Sequence, residues 1–279
     1  ITINNYSNLA GGIRFSSFHK ESYMDYSIEP RFNINLGLNN IHSIHGGYMN
    51  TNHYSHLLLT SGSIMLKELW IPADSSTPAS TVEQFTGGYT AGYDGFQVNA
   101  GFFYKNMYNL ATYKEGYSTF EGDDDWKSKI ETKGIGKSKG LELQLTKTKG
   151  KITGFIAYTI SKTTREFPNI NFGKEYLFDY DRTHSLSIYA HYRISKKIDI
   201  NLSWIYQTGI PYTPAIGKIY SPSTEADNVV YTERLLYAER NSSRMKDYHR
   251  LDFGLNYNIT TKGNRSAIWS FSVYNLYNR

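Results

Sequence analysis

Large apolar residues alternate with polar ones along most of this chain. Between Ile198 and Tyr206 every second residue is large and apolar, and the intervening positions include Asp199, Asn201 and Ser203. A period of two predicts a β-strand with one dry face and one wet face. The pattern alone leaves open whether the dry face meets a protein core or a lipid bilayer.

The same alternation recurs in eleven segments and predicts an all-β protein. No segment of comparable length has a 3.6-residue period, so no long helix is expected. The predicted strands span approximately residues 11–19, 26–39, 42–57, 80–93, 96–114, 132–146, 151–167, 179–195, 198–212, 247–259 and 265–279.

The connections between these strands alternate strictly in length. The short links are 39–41, 94–95, 147–150, 196–197 and 260–264. The long links are 20–25, 58–79, 115–131, 168–178 and 213–246. An up-and-down outer-membrane barrel has short periplasmic turns on one rim and long extracellular loops on the other. A soluble Greek-key sandwich also alternates in polarity but has no reason to follow this rule, so the pattern favours a large antiparallel transmembrane barrel.

Composition agrees with this fold. The 279 residues include 25 Tyr, 14 Phe and 4 Trp, yet the mean hydropathy is −0.51. No apolar run approaches the roughly 18 residues of a membrane helix, whereas barrel strands place only half of their residues in lipid. Aromatic rings suit the two rims, where the ring lies among acyl chains and its polar tip stays wet. The candidate girdle residues are Phe96, Phe102, Tyr104, Tyr108, Tyr158, Trp204, Tyr206, Tyr212, Tyr257, Trp269 and Tyr277.

Charge and cysteine content exclude several functions. The net charge is +5 with a pI near 9.0, but many basic residues fall in short turns instead of clustering on one face, so no nucleic-acid partner is expected. The absence of cysteine excludes disulfides, zinc–thiolate sites and thiol nucleophiles.

A barrel in lipid must close, because unpaired backbone groups at an open edge cost several kcal/mol each. Eleven strands are an odd number, whereas bacterial single-chain barrels normally have an even one. The first residues also lack an initiator Met and an apolar signal core. We therefore expect residues 1–279 to be one portion of a larger barrel domain.

Several motifs in order along the chain resemble the C-terminal half of a TonB-dependent outer-membrane receptor of the Bacteroidota type. They include "EPRFNINLGLN" (29–39), "GKSKGLELQL" (136–145), "FDYDRTHSLSIYAHY" (178–192), "WIYQTGIPYT" (204–213), "RNSSRMKDYHRLDFGLNY" (240–257) and "WSFSVYNLYNR" (269–279). The resemblance is stronger to the siderophore-receptor branch than to the maltodextrin-importer branch, which pairs with a surface lipoprotein.

This resemblance implies a 22-stranded barrel, of which the chain would supply about 11 strands. It implies that an N-terminal plug, a TonB box, the first strands and the terminal strand lie outside this sequence. It further implies active uptake of a scarce nutrient (an iron chelate, cobalamin, a glycan or a peptide), powered by the TonB–ExbB–ExbD complex. Neither a cofactor nor covalent chemistry is expected.

The long loops contain the candidate contact residues. Exposed aromatics in loops suit ligand capture, and the candidates are Trp70, Trp126, Tyr176 and Tyr220. The acidic stretch 121–126 offers Asp123 and Asp125 as weak calcium ligands, without the spacing of an EF-hand. A solvated acidic loop is the simpler interpretation.

Charged and histidine residues predict structural roles. His42, His45, His53 and His56 are expected to line the lumen or rim. Arg182 and Arg250 are expected to pair with carboxylates on neighbouring strands.

Two other functions stay open. One is a passive barrel or surface adhesin without energy coupling. The other is an outer-membrane hydrolase using Asp252, His184 and Ser185, although no motif places a nucleophile, a base and an orienting group together.

Overall fold

The computed structural model describes residues 2–4, 7–59, 68–116, 126–225, 228–261 and 265–278. Most of them are in β-strands, which confirms the all-β prediction. The strands are β1 (Thr2–Asn4), β2 (Ser7–Lys20), β3 (Tyr23–Gly37), β4 (His42–His53), β5 (Ser55–Leu59), β6 (Glu68–Pro72), β7 (Ser80–Tyr93), β8 (Phe96–Tyr113), β9 (Ile130–Lys147), β10 (Ile152–Glu166), β11 (Tyr176–Leu177), β12 (His184–Arg193), β13 (Ile198–Gln207), β14 (Pro211–Tyr212), β15 (Ala215–Glu225), β16 (Asn228–Tyr237), β17 (Ser243–Arg244), β18 (Tyr248–Thr261) and β19 (Arg265–Val273). Short 3₁₀ turns span Trp126–Lys129 and Asn171–Gly173.

One large antiparallel sheet forms the wall. Its strands lie in the order β1-β2-β3-β4-β7-β8-β9-β10-β12-β13-β18-β19. Each wall strand pairs with the wall strands that precede and follow it in the chain. The short strands that lie between them in sequence belong to the connections at the long-loop rim. All eleven predicted segments contain a wall strand, which confirms the up-and-down order. No helix among the described residues has the length and apolar character needed to cross a membrane.

The short turns and long excursions fall on opposite rims as predicted, with one difference. The link 20–25, predicted to be long, is a two-residue turn, because β2 and β3 continue until Lys20 faces Tyr23. Glu21 adopts a positive φ of 53° in this turn. A non-glycine residue in that conformation is uncommon, so no turn motif marks a tight turn here.

The two faces of the wall differ sharply in polarity. One row of paired positions runs through Val98, Leu145, Ile156, Ile188, Trp204 and Leu251. A row three residues away, on the opposite face, runs through Gly88, Gly101, Glu142, Thr159, Ser185 and Gln207. Apolar side chains therefore point outward and polar ones point to the lumen.

The apolar face is not covered by a second sheet within the described residues. Leu141 is 56% exposed and Trp269 is 71% exposed. Exposure of such a large contiguous apolar surface to water would be unfavourable. The dry medium left open by the sequence pattern is therefore lipid. Aromatic side chains flank this surface at both ends, for example Tyr104 towards the long-loop rim and Trp269 towards the short-turn rim. Tyr212, a predicted girdle residue, instead lies in β14 outside the wall.

Candidate functional site

The buried apolar residues lie mostly at the long-loop rim, not within the membrane wall. There four excursions of the chain pack over the strand ends. The first to the fourth comprise the described residues of 54–79, 114–129, 167–183 and 208–247, and together they form the outer-rim loop cluster. One buried group joins the β5–β6 hairpin to β8 and β9 through Leu58, Ile71, Ala111, Tyr113 and Ile130. A second joins β8 to the third excursion through Leu110, Phe167, Ile170 and Tyr176. The extracellular surface is thus a packed layer with its own core.

Asp74 organises the turn that follows β6. Its Oδ1 accepts hydrogen bonds from the Thr77 amide at 3.0 Å and from the Ser76 amide and hydroxyl at 3.0 and 2.6 Å. Its Oδ2 accepts one from Lys127 Nζ at 2.8 Å. Burial alone would raise the pKa of Asp74, but these hydrogen bonds, led by the one from Lys127, outweigh it and hold the pKa well below its ordinary value. The carboxylate therefore links two separate excursions.

We expect this link to resist mild acid. Because the folded-state pKa of Asp74 is depressed, its contribution to stability is present above the unfolded value near 3.9 and is lost as pH falls towards the folded value. Hydrogen exchange of the Ser76 and Thr77 amides should be equally protected at about pH 7 and 5, after correction for intrinsic rates. An Asp74→Asn variant should lose protection already at neutral pH. Protection that falls steadily between those two pH values would contradict this prediction.

Asp181 and Arg244 fasten the base of the fourth excursion. The Arg244 Nη2 donates to Asp181 Oδ2 and, at 2.9 Å, to Thr183 Oγ1, while Nη1 donates to the carbonyl of Gly209 at 2.9 Å. Asp181 Oδ1 also accepts the Thr163 amide of β10 at 2.6 Å. This ion pair ties the β14–β17 pair to the barrel wall.

The structure revises the two predicted arginine pairs. Arg182 binds no carboxylate among the described residues but donates to the carbonyl of Thr208 at 3.1 Å, and Arg244 takes the ionic role instead. Arg250 does form an ion pair, at 2.9 Å, but with Asp252 of its own strand. Its guanidinium also lies 4.2 Å from the centre of the Tyr274 ring.

Two further arginines, which no sequence motif marks, lie beneath the loops; Arg240 is buried and Arg165 is partly buried. The Arg165 guanidinium stacks on Phe178 at 3.8 Å, and that of Arg240 lies 4.9 Å from the Tyr176 ring centre. Burial lowers the pKa of Arg165 to about 10. Arg165 Nε and the Nε and Nη1 of Arg240 have no hydrogen-bond partner among the described residues. Only their burial, which a sequence does not show, distinguishes them from surface arginines.

The four predicted ligand aromatics have different positions. Trp70 and Tyr220 are 62% and 64% exposed, so both are accessible from outside. Tyr176 is only 4% exposed; its ring supports Arg240 and packs with Phe167, so its expected role as a surface contact is wrong. Trp126 begins a 3₁₀ turn, and its side chain lies outside what the structure describes.

No metal site is formed by the described residues. Asp123 and Asp125 lie outside the described residues. The four clustered histidines separate: His45 faces the lumen, His42 contacts Tyr89 at 2.5 Å on the lipid face, and His56 is buried in β5 with Nε2 3.0 Å from the Pro78 carbonyl. His56 therefore lies at the long-loop rim, where it is buried in the loop cluster and does not line the lumen.

The residues considered for hydrolysis do not converge. His184 and Ser185 are consecutive in β12 and so point to opposite faces. The His184 ring contacts the Tyr158 hydroxyl at 2.8 Å, whereas Asp252 accepts the Arg250 side chain and the Asn275 amide.

The lumen side of the wall carries a shallow polar recess of about 250 Å³. Its polar side chains come from His45, Asn99, Glu142, Gln144 and Thr159. A Cβ at Gly88 would lie 2.6 Å from the His45 ring, so the glycine makes room for the imidazole. Hydrogen-bonding side chains thus line this part of the lumen wall, below the loop cluster.

Comparisons with known proteins agree with this architecture. The family model of outer membrane beta-barrel porins, MtrB/PioB, matches residues 88–210, which is less than half of the chain. No curated protein matches the sequence. The family match and the fold confirm the predicted β-barrel and its location in the outer membrane.

Solved structures share the fold at low sequence identity. Over 99% of its length the chain resembles the ferripyoverdine receptor of Pseudomonas aeruginosa, at 14% identity and a TM-score of 0.60, and covers 33% of that receptor. The chain also resembles the ferric-catecholate import receptor Fiu of Escherichia coli K12 over 99% of its length, at 15% identity and a TM-score of 0.64, and covers 39% of that receptor. It resembles the ferric yersiniabactin uptake receptor FyuA of Yersinia pestis over 99% of its length, at 12% identity and a TM-score of 0.63, and covers 39% of that receptor. The chain therefore spans about one third to two fifths of the length of these receptors.

Proposed function

We propose that this chain is part of an outer-membrane receptor that imports a ferric chelate by active transport. The observation that carries the proposal is a packed extracellular loop layer with exposed aromatic side chains above a polar lumen wall. The same wall fold occurs in receptors for ferripyoverdine, ferric catecholates and ferric yersiniabactin. On the motifs quoted above, we assign it to the Bacteroidota type.

In this proposal residues 1–279 are the C-terminal portion of one barrel domain. The other strands close the sheet, because an open edge is not stable in lipid. A plug fills the lumen, and TonB, energised by ExbB and ExbD, acts on the plug. The chain itself supplies wall and surface loops and performs no covalent chemistry. A surface lipoprotein stays a candidate partner, although the motifs favour the siderophore-receptor branch.

Uptake of radiolabelled ferric chelates by iron-starved cells tests the function. Cells with the complete gene should accumulate at least one of a panel of hydroxamate, catecholate and mixed chelates, and deletion of the gene should abolish this uptake. A protonophore should stop uptake without preventing surface binding. In the same assay Trp70→Ala and Tyr220→Ala should weaken binding, whereas Tyr93→Ala, an exposed aromatic at the opposite short-turn rim, is the matched control.

A passive porin is the second candidate, favoured by the match to the porin family over residues 88–210. It predicts diffusion of small solutes that continues after protonophore treatment and does not depend on iron limitation. Protonophore-insensitive, non-saturable entry would therefore replace the receptor proposal with this one.

A further inference from the structure

The outward positions of β9 and β10 change from apolar to basic at the same level. On β9 they are Leu145, Leu143 and Leu141, followed by Lys139 and Lys137. On β10 they are Ile156, Tyr158 and Ile160, followed by Lys162. The apolar parts of both strands face lipid, so the lysines stand directly above the lipid-facing surface.

The position of these lysines matches the outer boundary of the membrane. Crossing an outer membrane takes about 9–11 tilted residues. Lys139 is the ninth residue of β9 counted back from Lys147 at the short-turn rim, and Lys162 is the eleventh of β10 counted from Ile152. Both side chains therefore lie at headgroup level on the extracellular side.

Lys139 and Lys162 are also direct cross-strand partners. Like charges at opposite positions are destabilising, since their Cβ atoms are only about 4.5–5.5 Å apart. The neighbouring carboxylates only partly neutralise the two positive charges. Glu175 reaches Lys162 at 3.9 Å, with both side chains about half exposed, and Glu166 lies further from the membrane. Lys139 has no ion-pair partner among the described residues.

We propose that Lys139 and Lys162 together bind a phosphate group of an anionic lipid in the outer leaflet. The phosphate would lie between the two ammonium groups and remove their repulsion, while its acyl chains cover the leucines and isoleucines below. Tyr104, which faces Lys139 across the β8–β9 pairing, adds a ring at the acyl boundary and a hydroxyl near the headgroup. This lipid site is on the outer wall and is independent of the transported solute.

Lipid retention by the complete protein tests the site. The protein is purified from outer membranes in mild detergent, and bound phosphorylated lipid is measured by native mass spectrometry and by phosphorus content. One lysine near an anionic surface is worth roughly a factor of five in affinity, so Lys139→Gln with Lys162→Gln should lower the affinity for added lipid about 25-fold. The double arginine variant should retain binding. Lys196→Gln with Lys197→Gln, which removes two exposed charges at the short-turn rim, should not change it.

Each outcome decides the proposal. Equal lipid retention by the glutamine variant and the wild type overturns it, and so does an equal loss in the Lys196 and Lys197 control. Inorganic phosphate that binds the delipidated protein as tightly as vesicles containing phosphorylated lipid would overturn the assignment to lipid. A heat-modifiable band shift on gels, unchanged between variants, shows that each barrel is folded.

Discussion

Replacing Leu143 by arginine is expected to lower the free energy of unfolding of the complete barrel by about 2–4 kcal/mol, the cost of a cation at the bilayer midplane of a barrel. Leu143 points to the lipid face, is 52% exposed, and is the fifth residue of β9 counted from the short-turn end. That places it near the middle of the crossing. Urea-dependent unfolding in lipid vesicles, followed by tryptophan fluorescence, measures the loss.

Gln144→Arg is the matched control because it introduces the same side chain one residue away. Gln144 faces the lumen recess, where water solvates the charge, so its effect should stay within about 0.5 kcal/mol. Equal effects at the two positions would mean that the outward face does not meet lipid. A larger effect at Gln144 would reverse the assignment of the two faces and remove the basis for the transport proposal.

The wall was predictable because its signal is local and repeated. Side chains alternate along each strand, so the period of two in residues 198–206 already fixes which residues share a face. The turn Asp94–Gly95 is similarly readable, since both residues have a positive φ and this dipeptide favours such a turn. Lipid adds a strict requirement for pairing, which leaves few alternatives to consecutive antiparallel strands.

The loop layer was not predictable in the same way, because its contacts join distant parts of the chain. Tyr176 looks like an accessible loop aromatic until Arg240, 64 residues later, stacks on it. Arg182 was predicted to form an ionic contact and Arg244 was not; only the folded fourth excursion brings Arg244 to Asp181. The hairpin β15–β16 was missed for another reason: apolar residues such as Ile216 and Tyr231 are exposed on it, so no buried face imposes an alternation.

Neutralising Asp181 should release this hairpin from the wall. The Asp181 side chain is almost fully buried. Its carboxylate pairs with Arg244, whose side chain is 25% exposed. Removing one member of a buried ion pair leaves the other charge uncompensated. Asp181→Asn should therefore cost about 3 kcal/mol, the lower end of the range for such pairs, because Arg244 is partly solvated.

The expected result is faster cleavage of the β15–β16 hairpin by trypsin. An isolated two-stranded hairpin is marginally stable in water, so its resistance to protease depends on the β14–β17 pair and on the Asp181–Arg244 contact at its base. Proteolysis through rapid local opening follows the free energy of that opening. About 3 kcal/mol then corresponds to roughly hundredfold faster cleavage after Lys218 or Arg234, measured on intact outer membranes.

Glu233→Gln separates this effect from a general loss of charge on the hairpin. Glu233 pairs with Lys218 at 2.6 Å, but both side chains are about half exposed, and an exposed pair contributes only about 0–1 kcal/mol. Its cleavage rate should stay within about fivefold of the wild type. If Asp181→Asn is cleaved no faster than Glu233→Gln, the buried ion pair does not hold the hairpin. If it is cleaved a hundredfold faster, the stability of the fourth excursion depends on this ion pair, and the proposed ligand contact of Tyr220 depends on Asp181 as well.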